Sequence, residues 1–329
     1  MLQEKNKIRI SVICPVLNVE KYISETIETV LSQTYKDWEL LIMNGVSNDR
    51  TLEIVNSYAG KYTNIRVYSS KDECMWQAFE WGLNLAKGEF VCFLGGQDGY
   101  SDKDWFSKCI EVFDKNKDVS LTWGLCHARD VSGNLVGTNE SYTNFIETRN
   151  RFDAFLIGVK KFLKILKDLL LGSFKRKKVL LEKIFSRTAS LRVNAFIQTG
   201  FNGRFPQKED WFLYWLKTGL CFPDQGMLVV KNVLLDCTTK YEKTRNQDEL
   251  NDFLFNFNAR GYLAYYVPTF VVLGNLHEDS GSSRRVLENH EALKKYLERV
   301  VNFRKKVFKD HEEVIFRGRN GAKIFSKKF

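Results

Sequence analysis

Short apolar runs alternate with amphipathic stretches through the first 125 residues. Residues 8–14 (IRISVIC), 38–43 (WELLIM), 65–68, 90–94 (FVCFL) and 120–126 are of strand length, most of them closed by polar or glycine-containing turns. Between them the apolar positions fall at helical spacing. Ile23, Ile27, Val30 and Leu31 share one face of 22–32, and Met75, Phe79, Leu83 and Ala86 share one face of a second stretch. A polar turn at 44–49 precedes a helix that runs through Tyr58 and takes Asp49 or Asn48 as its cap; residues 103–116 predict another helix. Strand and helix in alternation, with connections of a few residues, predict an α/β fold: a doubly wound, mostly parallel sheet with helices on both faces. Residues 130–134 (DVSGN) read as a hairpin turn. The stretch 69–99 is the centre of this pattern. Its run 90–94 has the composition of a strand buried on both faces, and it ends in Gly95, Gly96 and then Asp98. That puts a carboxylate at the carboxyl end of a strand, the edge at which open α/β sheets bind ligands.

Farther along, the pattern changes. Residues 155–171 (FLIGVKKFLKILKDLLL) carry seven large apolar side chains on one face and four lysines on the other, and 174–178 add a basic cluster. Either a helix lying in a membrane interface or a helix packed on its own domain with a solvated lysine face has this composition. Residues 288–309 predict a closing helix, mostly charged apart from Leu293, Tyr296, Leu297, Val300 and Val301. The expected organisation is one domain over 1–283, with a basic amphipathic insertion at about 150–185, and a helical, basic extension over 284–329.

The net charge of +10 on 329 residues is uneven, and an apolar content of 44% suffices for a large core. The window 150–185 alone holds ten Lys/Arg against three Asp/Glu. No nucleic-acid recognition module or aromatic–basic interleaving accompanies that charge, so an anionic membrane surface is the expected partner for 155–178, and nucleic acid is not. Seven scattered cysteines without a C-x-x-C pair argue against zinc and disulfides and for a reducing compartment. With no apolar run of signal-peptide or membrane-spanning length, the expected location is the cytoplasm, with peripheral attachment at the inner face of the plasma membrane.

The stretch SVICPVLNVEKYISETIETVLSQTYKDWELLIMNGVSNDRTLEIV, continued by KDECMWQAFEWGLNLAKGEFVCFLGGQD, resembles the opening of family 2 glycosyltransferases. These nucleotide-sugar enzymes have the GT-A fold, and the resemblance is strong through about residue 137. It implies an inverting transfer of a sugar from a nucleoside diphosphate to an acceptor hydroxyl, on a bacterial surface polysaccharide or a lipid-linked oligosaccharide. It further implies that Pro15, Leu17, Asn18, Asn44, Ser47, Lys71, Asp72 and Gln97 frame the nucleotide, and that Asp98, with His277, holds Mg²⁺ or Mn²⁺.

Two positions depart from the family pattern. Asn44 stands where an acid normally pairs with the base, and Gly95-Gly96-Gln97 occupies the D-x-D position. An amide still pairs with a base edge but carries no charge, and glutamine is a poor ligand for a hard cation. A non-catalytic, nucleotide-sugar-binding or scaffold subunit is therefore the alternative. The resemblance also asks for a carboxylate base opening a helix before a glycine and an extended strand. Glu209-Asp210 and Asp248-Glu249 both qualify. The second pair has the better surroundings: CFPDQGMLVVKNVL before it, with Asp224 in place of a family histidine, and Tyr266-Val267-Pro268 after it.

Overall fold

The computed structural model describes residues 8–129, 135–136, 205–219, 226–238, 249–275 and 290–329. The predicted alternation is present: β1 (Ile10–Val16), α1 (Ile23–Leu31), β2 (Trp38–Asn44), α2 (Thr51–Ala59), β3 (Ile65–Ser69), α3 (Met75–Leu85), β4 (Phe90–Phe93), β5 (Gly99–Tyr100), α4 (Trp105–Lys115) and β6 (Val119–Arg129). After β7 (Leu135–Val136) come α5 (Lys208–Thr218), β8 (Met227–Val230), α6 (Lys231–Cys237), α7 (Glu249–Ala259), β9 (Leu263–Asn275), α8 (His290–Lys309), β10 (Val314–Arg317) and β11 (Lys323–Lys327).

Nine strands form one sheet in the order β3-β2-β1-β4-β8-β6-β9-β5, with β7 paired to β6 across the predicted hairpin turn. The first four strands are parallel, and every residue of β1 and β2 is buried, which explains their nearly unbroken apolar runs. β1 reaches past the expected end at Cys14, because Pro15 and Val16 still lie in register with Met43 and Asn44. Right-handed crossovers put α1 and α2 on one face and α3, whose connection runs the opposite way across the sheet, on the other. β8 is antiparallel to both β4 and β6, and β6 pairs in parallel with β9.

These registers fix two edges. Ile10, Trp38, Phe90, Val119 and Leu263 mark the amino-terminal edge; Val16, Asn44, Ser69, Phe93 and Asn275 mark the carboxyl-terminal one. Charges at the first edge are paired. The Glu39 carboxylate, 1% exposed, accepts from Ser11 Oγ at 2.6 Å and the Lys87 amide at 2.6 Å and is ion-paired with Arg66. Arg9 grips Asp114 with two hydrogen bonds of 2.9 and 3.0 Å.

The helix predicted at 288–309 is present as α8, and a hairpin of β10 and β11 that the sequence pattern did not predict follows it. Both pack on the larger body. Trp215 of α5 donates to the Tyr296 hydroxyl at 2.8 Å, Arg299 pairs with Asp252 of α7, and Phe316 stacks edge-on against Phe212. Arg319 donates to the carbonyls of Phe113, Asn116 and Val119 while its guanidinium lies over the Phe113 ring, closing the ends of α4 and β6. The segment 155–178 lies outside the described residues, as does most of the proposed insertion. Among the described residues no helix is long and apolar enough to cross a membrane.

Candidate functional site

Three loops leave the carboxyl-terminal edge and are tied together by side-chain amides and hydroxyls. The Asn18 amide donates to Ser47 Oγ at 3.0 Å, and that hydroxyl donates to Asn44 Oδ1 at 2.6 Å. The Ser47 amide reaches the same Oδ1 at 3.2 Å, and Asn44 Nδ2 donates to Ser69 Oγ at 2.8 Å. In return the Asn18 side chain accepts from the Asn48 amide. Asn44 is thus a buried pin between the ends of β1, β2 and β3, with both acceptor directions and one amide hydrogen engaged. The cap of α2 falls on Arg50 and not on Asp49 or Asn48, and it carries no side-chain cap bond; Asp49, one residue earlier, accepts from the Thr51 amide at 2.9 Å. Burial alone would raise its carboxyl, but bonds from Thr51 and Glu20 outweigh that and hold it below the usual carboxylate range.

Around this pin the edge is unusually open. Leu17 is 53% exposed and Val46 56% exposed, and both Asn18 and Val46 have positive φ, 53° and 61°. For a β-branched residue this backbone region is a genuine outlier. Sequence reasoning missed Val46; its only signal was its place beside Gly45 in a polar turn. Asp72 comes in from the loop before α3, so close that a Cβ at Gly45 would lie 2.8 Å from its Oδ2. Partial burial raises its carboxyl above the ordinary range, and among the described residues it has neither a hydrogen-bond nor an ion-pair partner. Lys71 is exposed beside it.

Asp98 sits in the loop after β4. Its amide donates to the Gly95 carbonyl at 3.0 Å, and the Leu94 amide ties the start of the loop to Ile13 of β1. Burial pushes the Cys14 thiol up and the charge of Asp98 adds to that, which puts the carboxylate near the end of β1. Pro15, Leu17, Asn18, Asn44, Ser47, Asp72, Gln97 and Asp98 are thereby gathered along one edge.

The two candidate bases separate. Lys208, at the start of α5, pairs with Asp118 just before β6, and Gln207 exchanges two hydrogen bonds with the backbone of Tyr266 near the start of β9. Trp211 donates to Asn258 in the last turn of α7. The first turn of α5, with Glu209 and an exposed Asp210, is therefore held beside the early residues of β6 and β9, towards the amino-terminal edge. Both acids open the helix as expected, and Asp210 remains the second candidate for the base. The last turn of α7 leads into β9 at that same edge, so α7 begins at the opposite one, and Glu249 opens it. Asp248, His277 and Asp224 lie outside the described residues.

Between α3 and α7 an apolar cleft is lined by Met75, Trp76, Phe79, Phe93, Met227 and Phe253, among others. Phe253 stands one helical turn after Glu249. Among the described residues no three of His, Cys, Asp and Glu come together as a metal-holding group. Asp98 still fits a divalent cation of the kind a diphosphate brings with it, since Mg²⁺ is commonly held by one or two carboxylates plus phosphate oxygens.

The edge, the strand order and the loop motifs can be compared with known proteins. Residues 11–170 match the sequence profile described as Glycosyl transferase family 2. Just under half of the chain is thus similar to that family. Within it, a curated relative is the dolichyl N-acetyl-alpha-D-glucosaminyl phosphate 3-beta-D-2,3-diacetamido-2,3-dideoxy-beta-D-glucuronosyltransferase of Methanococcus voltae. It is 32% identical over 112 residues, which are 33% of this chain and 35% of the relative. The chain thus spans about a third of that relative's length. In fold, TarS 1–349 of S. aureus in complex with UDP aligns with a TM-score of 0.51 at 15% identity, over 92% of this chain and 72% of that one. The mannosyltransferase PcManGT from Pyrobaculum calidifontis, in complex with GDP-Man and Mn²⁺, aligns with a TM-score of 0.50 at 12% identity, over 90% and 69%. The GT-A-type sheet expected for family 2 is the one present.

Proposed function

We propose that the protein is an inverting glycosyltransferase that moves a sugar from a nucleoside diphosphate sugar to an acceptor hydroxyl, in the synthesis of a bacterial surface glycan. The observation that carries this is the gathering of the family 2 loop residues, with Asp72 and Asp98 among them, at the carboxyl-terminal edge of four parallel strands. The relative named for acting on a dolichyl-linked sugar phosphate supports a lipid-linked acceptor. The apolar cleft beside α7 suits a hydrocarbon or aromatic part of that acceptor better than its sugar. Segment 155–178 is proposed to meet the anionic membrane surface from which such an acceptor comes.

Each loop has a share in the mechanism. Leu17 and Val46 offer exposed apolar faces to the nucleoside, and the pin through Asn44 and Ser47 holds their loops in place. Asp98 faces the diphosphate. A bound Mg²⁺ or Mn²⁺ would neutralise charge growing on the leaving diphosphate. The acceptor oxygen bonds to the anomeric carbon as the bond from that carbon to the diphosphate oxygen breaks, and the configuration inverts. The acceptor proton passes to a carboxylate, which we assign to Asp248 or Glu249 at the start of α7.

The test has two parts, thermal shift and turnover. UDP, GDP, CDP and dTDP are added with and without Mn²⁺, and hydrolysis of the matching nucleotide sugars is followed. One nucleotide should raise the melting temperature by mass action, and its sugar should be hydrolysed slowly without an acceptor. A shift without any hydrolysis or transfer identifies a non-catalytic binding subunit, the reading favoured by Asn44 and Gln97 in place of acids. No shift with any nucleotide overturns both.

A further inference from the structure

Asp98 owes its place to a helix on the far side of the loop that carries it. Gly95 to Tyr100 run between the end of β1 and the side of α1, and contact with α1 is made through two hydroxyls. Thr26, 1% exposed, donates from Oγ1 to the Gly96 carbonyl at 3.2 Å. Thr29 Oγ1 accepts from the Tyr100 amide at 3.0 Å and donates to the Thr26 carbonyl at 2.7 Å. One hydroxyl therefore fixes the loop two residues before Asp98 and the other fixes it two residues after.

The loop is packed too closely for side chains at two positions that flank Gln97 and Asp98. A Cβ on Gly96 would come within 2.7 Å of Val16 Cγ1, and one on Gly99 within 2.9 Å of Thr29 Cγ2. The loop is thus pressed onto the end of β1 at Gly96 and onto Thr29 of α1 at Gly99. Tyr100 adds a third tie behind it, its hydroxyl 3.3 Å from the Cys92 sulfur, where burial pushes the thiol up to about 12. The Ser101 amide bonds to Val271 of β9 at 2.7 Å. Between the two threonine anchors, only Gln97 and Asp98 present side chains.

We propose that Thr26 and Thr29 are positioning residues for Asp98, holding its loop at the height from which the carboxylate meets a nucleoside diphosphate. This rests on the assignment of Asp98 to the diphosphate made above. Removing either hydroxyl leaves a backbone group without its partner, and the loop relaxes away from α1. Valine at either site keeps the volume and removes the hydroxyl's bonds: to the carbonyls of Gly96 and, at 3.4 Å, Tyr22 for Thr26, and to the Tyr100 amide and the Thr26 carbonyl for Thr29.

The experiment is isothermal titration in MnCl₂ with UDP, GDP, CDP and dTDP, carried forward with whichever the unaltered protein binds. Variants are Thr26→Val, Thr29→Val, Thr26→Ser, Thr29→Ser, Asp98→Asn and Thr122→Val. Thr122 is a control: a buried threonine whose hydroxyl bonds a carbonyl, Leu228, inside the sheet and away from the loop. Each loop valine should raise the dissociation constant by about tenfold, and each serine should restore it to within about threefold. Thr122→Val should lower the melting temperature and leave affinity unchanged. Valine variants that bind like the unaltered protein, while Asp98→Asn loses binding, overturn the proposal alone. Asp98→Asn that binds normally overturns the assignment of Asp98 beneath it, and is told apart by that variant. If Thr26→Val does not fold, Thr29→Val decides, since it leaves the bond to Gly96 in place.

Discussion

The two edges of the one sheet are built to opposite rules. At the amino-terminal edge, charge is matched: Glu39 with Arg66, Arg9 with Asp114, Lys208 with Asp118, and Arg319 with three carbonyls. At the carboxyl-terminal edge, hydroxyls, amides and the carboxylates of Glu20 and Asp49 fix the backbone and the exposed Arg50 pairs with Glu53, while Asp72 has no partner among the described residues and Leu17 and Val46 face solvent. One edge spends its polar groups on itself; the other holds its loops rigid and leaves their tips unmatched. Such unfinished bonding marks a place where a ligand completes the structure.

From that contrast, variants should divide into those that lose function and those that lose stability. The largest effect is expected from Asp98→Ala. Turnover should fall at least about a hundredfold with the melting temperature nearly unchanged, and near-normal turnover would break the contrast at its centre. Next comes Glu39→Gln at the matched edge. It leaves Arg66 without its buried counter-charge, so unfolding free energy should drop by about 3 kcal/mol in a urea titration. Nucleotide affinity should stay as it was, and a parallel loss of affinity would show that the edges are coupled.

Val46→Gly tests the strained side of the comparison. Glycine accepts positive φ without steric cost, so stability should change by no more than about 1 kcal/mol in either direction. Nucleotide affinity should weaken measurably, because the apolar face is gone. The smallest effect is the pH dependence of the pair Arg9–Asp114. The hydrogen bonds from Arg9 hold the Asp114 carboxyl below its usual range. A carboxyl depressed in the folded state stabilises fully above its unfolded value, about 3.9, and that share is lost as pH falls through the folded value. Comparing Asp114→Asn with the unaltered protein, the gap in melting temperature should be constant at neutral pH and shrink below about pH 4.

Much of the parallel half was legible because each of its elements states its period locally. β1, β2 and β4 are buried strands with apolar runs, and α1 and α3 show one apolar face each. The site residues at the ends of β1, β2 and β4 were legible for the same reason, being tied to strand ends. What was not legible depends on partners far away in sequence. Asn44 reads as a base-pairing amide, and its further bonds to Ser47 and Ser69 are set by the meeting of two loops. Asp210 and Glu249 open helices with similar acids, and the packing that holds the first of these helices, Gln207 on Tyr266 and Trp211 on Asn258, joins residues some fifty apart in sequence. The hairpin of β10 and β11 was hidden by its charge. Its apolar signal is carried chiefly by Val314 and Phe316, and Phe316 finds its partners in Phe212, about a hundred residues earlier, and Phe325.

The grip of Arg319 on α4 and β6 also orders events during synthesis. Strands β1 to β4 and helices α1 to α4 emerge from the ribosome some two hundred residues before the guanidinium that caps the carbonyls of Phe113, Asn116 and Val119. A nascent chain can therefore assemble the parallel half early, but it carries an unsealed rim until the hairpin arrives. Before β8 and β9 arrive, both sides of β6 are a ready template for another strand, so crowding of nascent chains, and not the finished protein, is where misassembly should begin.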